Sequence, residues 1–255
     1  MLKVENLSCG YRGRKVVQDI SFTLSEGQKL AILGPNGCGK TTLLRGLMGI
    51  LPSEGRLELE GRDLRTMTVR ERSRIMAMLS QMTFASFSYS VMETVLMGRY
   101  PHMGGGFFPR PNAKDRQAAE EQLKKMGLWE EREKAVTELS GGQLQRVMLA
   151  RTFTQSPKII LLDEPTNHLD LKFQVELVEA LDQWVREPGR AAVGVFHDLD
   201  LALSFADTAL LMDKGRAVYM GKADELDIAE LSRVFGIDVP GYMRASRLRW
   251  EGLER

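Results

Sequence analysis

Apolar residues along the chain occur in short runs that alternate with longer stretches of helical spacing. Short apolar runs bounded by turn residues are typical of buried strands, and they occur in LKVENLSCGY, VVQDISFTL, KLAIL, RLELEG, IILLD and AAVGVF. Helical spacing of apolar positions occurs in TTLLRGLMGIL, AKDRQAAEEQLKKMGL and FQVELVEALDQWV. A hairpin is predicted to turn at Lys214-Gly215. This alternation predicts an α/β fold.

A change of character in the middle of the chain predicts an insertion into this α/β core. From about residue 84 to about residue 155, a loop rich in Gly and Pro leads into a polar amphipathic helix. We therefore expect core segments at 1–83 and 156–240, a helical subdomain at about 84–155, and a short tail at 241–255. The strands that precede KLAIL are expected to form an N-terminal β region.

Composition narrows the class of protein. The 255 residues include 35 Lys and Arg against 34 Asp and Glu, so a net charge of +1 argues against nucleic acid as the main partner. The two cysteines, Cys9 and Cys38, make no disulfide framework, and a reducing compartment is expected. The N-terminus lacks the apolar core of a signal peptide, and no apolar run is long enough to span a bilayer. Any role at a membrane is therefore expected to be played from outside the bilayer.

The segment GPNGCGKTT, from Gly34 to Thr42, places glycines directly before a lysine. Its spacing is that of a phosphate-binding loop, and a predicted strand precedes it while a predicted helix follows. Glycines allow backbone N–H groups to turn toward phosphate oxygens at the positive end of a helix. Lys40 is then expected to bridge the β and γ phosphates, and Thr41 to bind Mg²⁺. A glycine-rich turn without a ligand is the alternative.

A second group of candidate residues follows the apolar run IILLD. A buried strand carries Asp163 to its carboxyl end, where ligands bind in open α/β sheets. Asp163 is expected to hold the water shell of the metal, and Glu164 to orient an attacking water as general base. A solvated acidic turn is the alternative for a single Asp-Glu pair. Together with the loop, these residues indicate a nucleotide hydrolase.

The stretch LSGGQ begins a further predicted helix. Ser140, Gly141 and Gly142 stand where a helix N-terminus binds an anion. The chain therefore carries two phosphate-binding helix starts. They can act on one nucleotide only if they belong to different subunits.

With these motifs in order, the sequence resembles the ATP-binding cassette ATPases to about residue 235. GPNGCGKTT matches the Walker A loop, IILLDEP the Walker B strand and LSGGQ the family signature. Gln81 matches the glutamine loop, Asn167 to Asp170 the D-loop, and His197 the switch histidine. The resemblance implies a P-loop NTPase (RecA-like) core over residues 1–240, with an N-terminal antiparallel β region and an inserted α-helical subdomain.

The resemblance also implies a set of site residues, with ATP and Mg²⁺ as ligands. The catalytic residues are Glu164, His197, Gln81 and Lys40. The residues that bind ATP are Tyr11, Gly34, Pro35, Asn36, Gly37, Cys38, Gly39, Lys40, Thr41, Thr42, Ser140, Gly141, Gly142 and Gln143. Mg²⁺ is held by Thr41, Gln81 and, through water, Asp163. Tyr11 would stack on adenine, with plain packing as its alternative.

The implied assembly is a head-to-tail homodimer that encloses two ATP molecules. Membrane permease subunits would bind the region after Gln81, where Phe84, Phe87, Tyr89, Val91 and Met92 form an apolar surface, although about half of these are expected to be core. An extracytoplasmic substrate-binding protein would take part indirectly. The chain would lie on the cytoplasmic face of the inner membrane.

MGRYPHMG resembles the ATPases of iron–siderophore, haem and cobalamin importers, so import of such a substrate is expected. An exporter ATPase and a soluble mechanical ATPase are the alternatives. Two positions depart from the family's usual residues. Cys38, at a helix N-terminus, is expected to have a lowered pKa and to react with alkylating reagents. Leu144 is expected to pack locally.

Overall fold

The computed structural model describes residues 1–80, 88–104, 110–166 and 170–253. In these ranges the strands are β1 Leu2–Tyr11, β2 Arg14–Leu24, β3 Lys29–Leu33, β4 Ser53–Leu59, β5 Arg62–Asp63, β6 Met76–Leu79, β7 Ile159–Asp163, β8 Ala191–Val195, β9 Thr208–Asp213 and β10 Arg216–Lys222. The α-helices are α1 Lys40–Leu47, α2 Val69–Ile75, α3 Val91–Leu96, α4 Ala113–Lys125, α5 Gly141–Thr154, α6 Leu171–Val185, α7 Leu199–Phe205, α8 Ile228–Phe235 and α9 Val239–Leu253. The predicted α/β fold is confirmed.

The central sheet positions the candidate site. Its strand order in the described residues is β10-β9-β3-β8-β7-β6, and β10 is antiparallel to β9 while the other neighbours are parallel. Ile32 pairs with Val195, and Val195 pairs with Asp163 on the next strand. The carboxyl ends of β3, β8 and β7 therefore lie side by side at one edge, which is where ligands bind in open α/β sheets.

A second, antiparallel sheet forms the N-terminal region. Its order is β2-β1-β4-β5, as the predicted fold class requires. The hairpin between β1 and β2 turns at Arg12 and Gly13, which both have positive φ, at 49° and 80°. Two such residues make the tight turn that suits the twist of paired strands. The hairpin leaves Tyr11 at the end of β1, paired with Arg14.

Helices α3, α4 and α5 surround a hydrophobic cluster of their own. Its buried residues are Val91, Val95, Leu96, Ala119, Leu123, Leu128, Val136, Val147 and Ala150. On its other face, α5 sends Leu149 and Phe153 into the cluster below the central sheet. The three helices thus form a layer that shares α5 with the core. The exact boundaries at 83 and 155 stay a prediction.

The apolar surface expected after Gln81 is only partly visible. Val91 is fully buried and Met92 is half-buried, so both belong largely to the cluster of α3, α4 and α5. Tyr89 is 45% exposed. Phe84 and Phe87 lie outside the described residues.

The C-terminal tail contains a helix that the sequence analysis did not predict. Most of residues 241–255 belong to α9. Val239 and Met243 pack against the core, but Tyr242 and Leu248 are exposed. Because so few apolar side chains face the core, the segment lacks the periodicity by which a helix is recognised in sequence.

Candidate functional site

The loop before α1 has a backbone that favours glycine. Gly34, Gly37 and Gly39 all have positive φ, and Gly39, the N-cap of α1, lies at φ 109°. A Cβ at Gly39 would lie 3.2 Å from a methyl carbon of Val17 on β2. The loop therefore passes close to β2 in a conformation that side chains disfavour. This geometry leads straight from the end of β3 into the N-terminus of α1.

Lys40 is folded back into this loop. Its side chain is 5% exposed, and Nζ donates hydrogen bonds to the carbonyl oxygens of Gly34 at 2.7 Å and Pro35 at 3.0 Å. A buried ammonium needs such partners because desolvation disfavours its charge. The loop thus holds a positive charge between its own backbone and the start of α1, in the arrangement suited to a phosphate group.

Thr41 and Asp163 meet across the edge of the central sheet. The Thr41 hydroxyl donates to Oδ1 of Asp163 at 2.8 Å. Asp163 is 6% exposed, and burial raises the pKa of its carboxyl, assisted by the charge of Glu164 and opposed by the Thr41 hydrogen bond. Two residues that are 122 positions apart are brought together.

These two side chains fit a magnesium ion. Mg²⁺ prefers oxygen ligands and is usually held by one or two side chains together with waters and substrate phosphates. Within the described residues, no group of three or more His, Cys, Asp or Glu is placed to hold a metal by itself. Thr41 and Asp163 would therefore supply only part of the coordination. Gln81, the third predicted ligand, lies outside the described residues.

Glu164 and His197 form a second pair at the same edge. Nε2 of His197 lies 2.8 Å from Oε1 of Glu164, and both side chains are partly exposed. The backbone N–H of Glu164 donates to the carbonyl of Val195, which ends β8. Glu164 has φ 53°, an uncommon conformation for a residue with a side chain and one that is frequent at functional sites. Neighbouring strands thus place a carboxylate against an imidazole, which can hold the carboxylate in position to accept a proton from water.

Tyr11 lies beside the second turn of α1. Its ring is 39% exposed, and its hydroxyl accepts a hydrogen bond from Arg45 at 3.0 Å. The sequence analysis did not single out Arg45, because an exposed arginine on a helix carries no signal of its own. Arg45 now links the N-terminal hairpin to the helix that follows the loop.

The LSGGQ turn lies at the start of α5. Ser140 is the N-cap: its hydroxyl accepts from the N–H of Gln143 at 3.3 Å, and the Gln143 side chain accepts from the N–H of Ser140 at 3.0 Å. A Cβ at Gly142 would lie 2.3 Å from the ring of Phe173 on α6. Gln145 donates to the carbonyl of Pro165 at 2.8 Å. The turn is therefore anchored to the segment after β7, while Ser140 and Gly141 are exposed.

The structure corrects one expectation and confirms another. Cys38 is 5% exposed, and burial raises the pKa of its thiol, with the nearby charge of Lys40 opposing the shift only in part. The expected lowered pKa is therefore wrong, because desolvation outweighs the helix N-terminus. Leu144 packs against the cluster of α3, α4 and α5, as predicted. Of the D-loop residues, Asp170 is described and caps α6, whereas Asn167, His168 and Leu169 lie outside the described residues.

Comparison with known proteins identifies the family. A family model described as ABC transporter matches residues 17–167, which is more than half of the chain. The chain belongs to the ABC transporter family. It is an ATP-binding subunit of that family, and its reaction is the hydrolysis of ATP that drives transport.

The relatives include ATP-binding proteins of Bacillus subtilis. The chain is 42% identical over 217 residues to the ABC transporter ATP-binding protein YvrA, covering 85% of this chain and 49% of YvrA, so it spans about half of that protein. It is 37% identical over 239 residues to the iron(3+)-hydroxamate import ATP-binding protein FhuC, covering 93% of this chain and 88% of FhuC.

Solved structures agree with this assignment. An inward-facing metal-chelate type ABC transporter superposes with a TM-score of 0.79 at 32% identity, covering 91% of this chain and 88% of that one. A dimeric ATP-binding cassette in a post-hydrolysis state, bound to ADP and phosphate, superposes with a TM-score of 0.75 at 25% identity, covering 88% of this chain and 99% of that one. In the described part of this ABC subunit, every helix is too short or too polar to cross a membrane.

Proposed function

We propose that this chain is the ATPase subunit of an importer, and that two copies of it drive uptake of a metal-chelate substrate through a separate membrane permease. An iron–siderophore, haem or cobalamin complex is the expected cargo, delivered by an extracytoplasmic binding protein. The subunit would act on the cytoplasmic face of the inner membrane. Its similarity to the iron-hydroxamate and metal-chelate proteins supports import over export.

One observation carries the mechanistic part of the proposal. Lys40, Thr41, Asp163, Glu164 and His197 are placed together by β3, β7 and β8, whereas Ser140 belongs to an exposed helix start anchored to α6. Each group suits the phosphates of a nucleotide. A nucleotide held by the first group would therefore meet the LSGGQ turn of a second copy.

Each side chain has a role in this arrangement. Lys40 would neutralise the β and γ phosphates, and Tyr11 would carry the adenine ring. Thr41 and Asp163 would hold Mg²⁺, which supplies charge neutralisation when it is bound. Glu164 would accept the proton of the water that attacks the γ-phosphorus, while the bond to the bridging oxygen breaks and ADP leaves.

The LSGGQ turn would bind the γ-phosphate across the dimer. The first N–H groups of a helix lack the usual partner one turn earlier. At the start of α5 the N–H of Gln143 donates to the Ser140 hydroxyl, so the N–H groups of Gly141 and Gly142 would be the ones that bind an anion. ATP would then hold the two copies together, and loss of the γ-phosphate would release them. The interface would thus be a two-state switch biased by the nucleotide.

The test uses the Glu164→Gln variant, which keeps the size of the side chain and removes the base. With ATP and Mg²⁺ we expect a stable dimer by light scattering, and with ADP a monomer. A variant that stays monomeric in saturating ATP contradicts the shared site. The matched control is Glu230→Gln, which changes a partly exposed carboxylate of α8 that pairs with Arg233. It should keep parental turnover and form no lasting dimer.

A second experiment tests the cargo. The chain should co-purify from membranes with a polytopic permease. In vesicles that contain both, ATP supplied on the side of this subunit should move an iron chelate across the membrane toward that same side. Movement of the chelate in the opposite direction would instead make the chain an exporter ATPase.

A further inference from the structure

Residues 97–103, MGRYPHM, contact both α2 and the C-terminal end of α5. The proposed mechanism does not say what fixes the position of α5 relative to the core. We call residues 97–103 the 97–103 segment. They follow α3 directly and lie between α2 of the core and the C-terminal end of α5. The sequence analysis used this motif only as a mark of resemblance. Its contacts indicate a structural task.

The segment caps the C-terminal end of α5. Arg99 donates to the carbonyl of Thr154 at 2.9 Å and to the hydroxyl of Ser156 at 3.2 Å. Nε2 of His102 lies 2.8 Å from the carbonyl of Gln155. The last carbonyls of a helix have no partner within it and carry partial negative charge, so donors and a cation at this end stabilise the helix. These contacts hold the end of α5 from outside the helix.

Close backbone contact reinforces this cap. A Cβ at Gly98 would lie 2.2 Å from the carbonyl oxygen of Arg151, so a larger residue cannot occupy this position without displacing α5. The segment and the last turn of α5 are thus packed backbone to backbone.

The same segment is bound to the core through α2. Nε of Arg70 and Nε of Arg74 donate to the carbonyl of Pro101 at 3.0 and 2.9 Å. Gln155, which ends α5, donates to the carbonyls of Ser73 and Met76 at 2.6 and 2.9 Å. The end of α5 is therefore fastened to the junction of α2 and β6.

An ion pair between the 97–103 segment and α4 completes the network. Nε of Arg99 lies 3.0 Å from Oδ1 of Asp115, whose side chain is 3% exposed. Removing one member of a buried pair leaves the other charge without compensation and is strongly destabilising. Arg99 therefore connects α4, α5 and the segment between them through one guanidinium group.

The far end of α5 carries the LSGGQ turn. With 14 residues, α5 is about 21 Å long at 1.5 Å per residue, and no proline interrupts it. We propose that the 97–103 segment is a positioning element that sets where Ser140 and Gln143 lie relative to the Lys40 loop. This inference rests on the proposed two-copy site. It adds Arg99 and His102 as positioning residues that touch no nucleotide.

The first experiment compares two binding steps in the Glu164→Gln background. Arg99→Met should weaken ATP-driven dimerisation by at least about tenfold, because the LSGGQ turn is no longer held in place. ATP affinity of the dilute monomer, measured with a fluorescent ATP analogue, should stay within about twofold, since the hydrogen bonds described for the segment go to α2, α4 and the end of α5. Arg99→Lys, which retains the charge but not the forked hydrogen bonds, should fall between the parent and Arg99→Met.

The control is Tyr100→Ala. Tyr100 belongs to the same segment but is 64% exposed, so dimerisation should be unchanged. His102→Ala, a milder change, keeps the test valid if Arg99→Met fails to fold. Folded variants of Arg99 and His102 that dimerise like the parent would overturn the inference. A parallel loss of monomer binding would also overturn it, because the role would then be general stability.

The second experiment does not depend on dimerisation. Both native thiols are buried, so cysteines introduced at the exposed positions Glu138 and Thr23 can be spin-labelled selectively. The distance between these labels measures the position of the LSGGQ turn relative to β2. Arg99→Met should broaden or shift the distance distribution, and Tyr100→Ala should not. If Arg99→Met leaves the distance distribution unchanged, the positioning role is contradicted, whether or not the parent dimerises. If Arg99→Met shifts the distribution but the parent stays monomeric with ATP, only the proposed shared site is contradicted.

Discussion

The Lys40 loop and the LSGGQ turn are both helix starts, yet the molecule supports them differently. At the Lys40 loop, groups from β3, α1, β7 and β8 meet and bond to one another: Lys40 to Gly34, Thr41 to Asp163, and Glu164 to His197. At the LSGGQ turn, Ser140 and Gln143 bond to each other at an exposed surface.

Because of this difference, we expect the Lys40 loop to govern ATP binding and the LSGGQ turn to govern dimer-dependent turnover. The first region is assembled by strand register, so it can receive a nucleotide within one chain. The second region is carried on one helix, which is held by Phe173 and Pro165 near its start and by the 97–103 segment at its end. Under the proposed mechanism, a second copy would bring it to its ligand. Variants in the two regions should therefore affect different steps.

The largest effect is expected for Glu164→Gln in the first region. Turnover should fall by about 10²–10⁴-fold, the usual contribution of a general base, while ATP binding is retained. Phosphate release at saturating ATP measures this. A variant that keeps a third or more of parental turnover would remove Glu164 from the proposed mechanism.

A smaller effect, on binding, is expected for Lys40→Ala. Loss of charge-assisted contacts should weaken ATP affinity by about 2–3 kcal/mol, or about 30- to 150-fold, as measured by calorimetry on the isolated chain. Lys15→Ala is the matched control, because Lys15 is an exposed lysine of β2 that pairs with Glu54, and the variant should bind as the parent does. If Lys40→Ala bound ATP normally, the loop at 34–42 would not be the phosphate site.

An effect of similar size, on the free energy of unfolding, tests whether water is excluded from the interior beneath α1. Cys9 lies beneath α1, where its thiol contacts the carbonyl of Thr42, and burial raises its pKa to about 11. In the unfolded chain the thiol has a pKa near 9, and below that pH both states are protonated, so the free energy of unfolding is at its full value. As the pH rises from 9 toward 11, the thiol ionises in the unfolded state first. The free energy of unfolding therefore falls, by up to about 2–3 kcal/mol.

The measurement is urea unfolding at pH 8 and pH 10.5, compared between parent and Cys9→Ala. The variant removes the Cys9 contribution, so its stability should fall less between the two pH values. Equal losses in both proteins would mean that water reaches this region.

The smallest effect is expected for Ser140→Ala in the second region. Loss of the cap should destabilise α5 by about 1 kcal/mol. ATP affinity of the monomer should not change, while turnover of the dimer should fall. Ser140→Thr retains a capping hydroxyl and should restore stability. Reduced monomer affinity in Ser140→Ala would erase the distinction between the two regions.

Much of the first region could be predicted from the sequence, because its signals are local. Glycines before Lys40 indicate a loop of positive φ, and an apolar run that ends at Asp163 indicates a buried strand. His197 follows a second such run. The rule that ligands bind at the carboxyl ends of strands in open α/β sheets assigned Asp163 to the site, and the family resemblance assigned His197. The structure places them together.

The contacts of Arg99, His102 and Arg45 could not be predicted in this way. Each side chain bonds to a group far away in sequence, such as Thr154 for Arg99 and Tyr11 for Arg45. Arginines in polar surroundings are ordinary surface residues as far as composition shows. The predicted lowering of the Cys38 pKa was wrong for a related reason. The sequence shows that Cys38 lies at a helix start, but it does not show that the thiol is buried.

The sequence by itself determined the main buried strands, the helix starts at Lys40 and Ser140, and the chemistry suited to each, because glycine, capping residues and apolar periodicity act over a few neighbouring residues. Only the tertiary structure decided how deeply a group is buried and which distant groups pair. Desolvation and long-range hydrogen bonds depend on elements that are separated by tens of residues, and they decide the thiol pKa at Cys38 and the anchoring of α5.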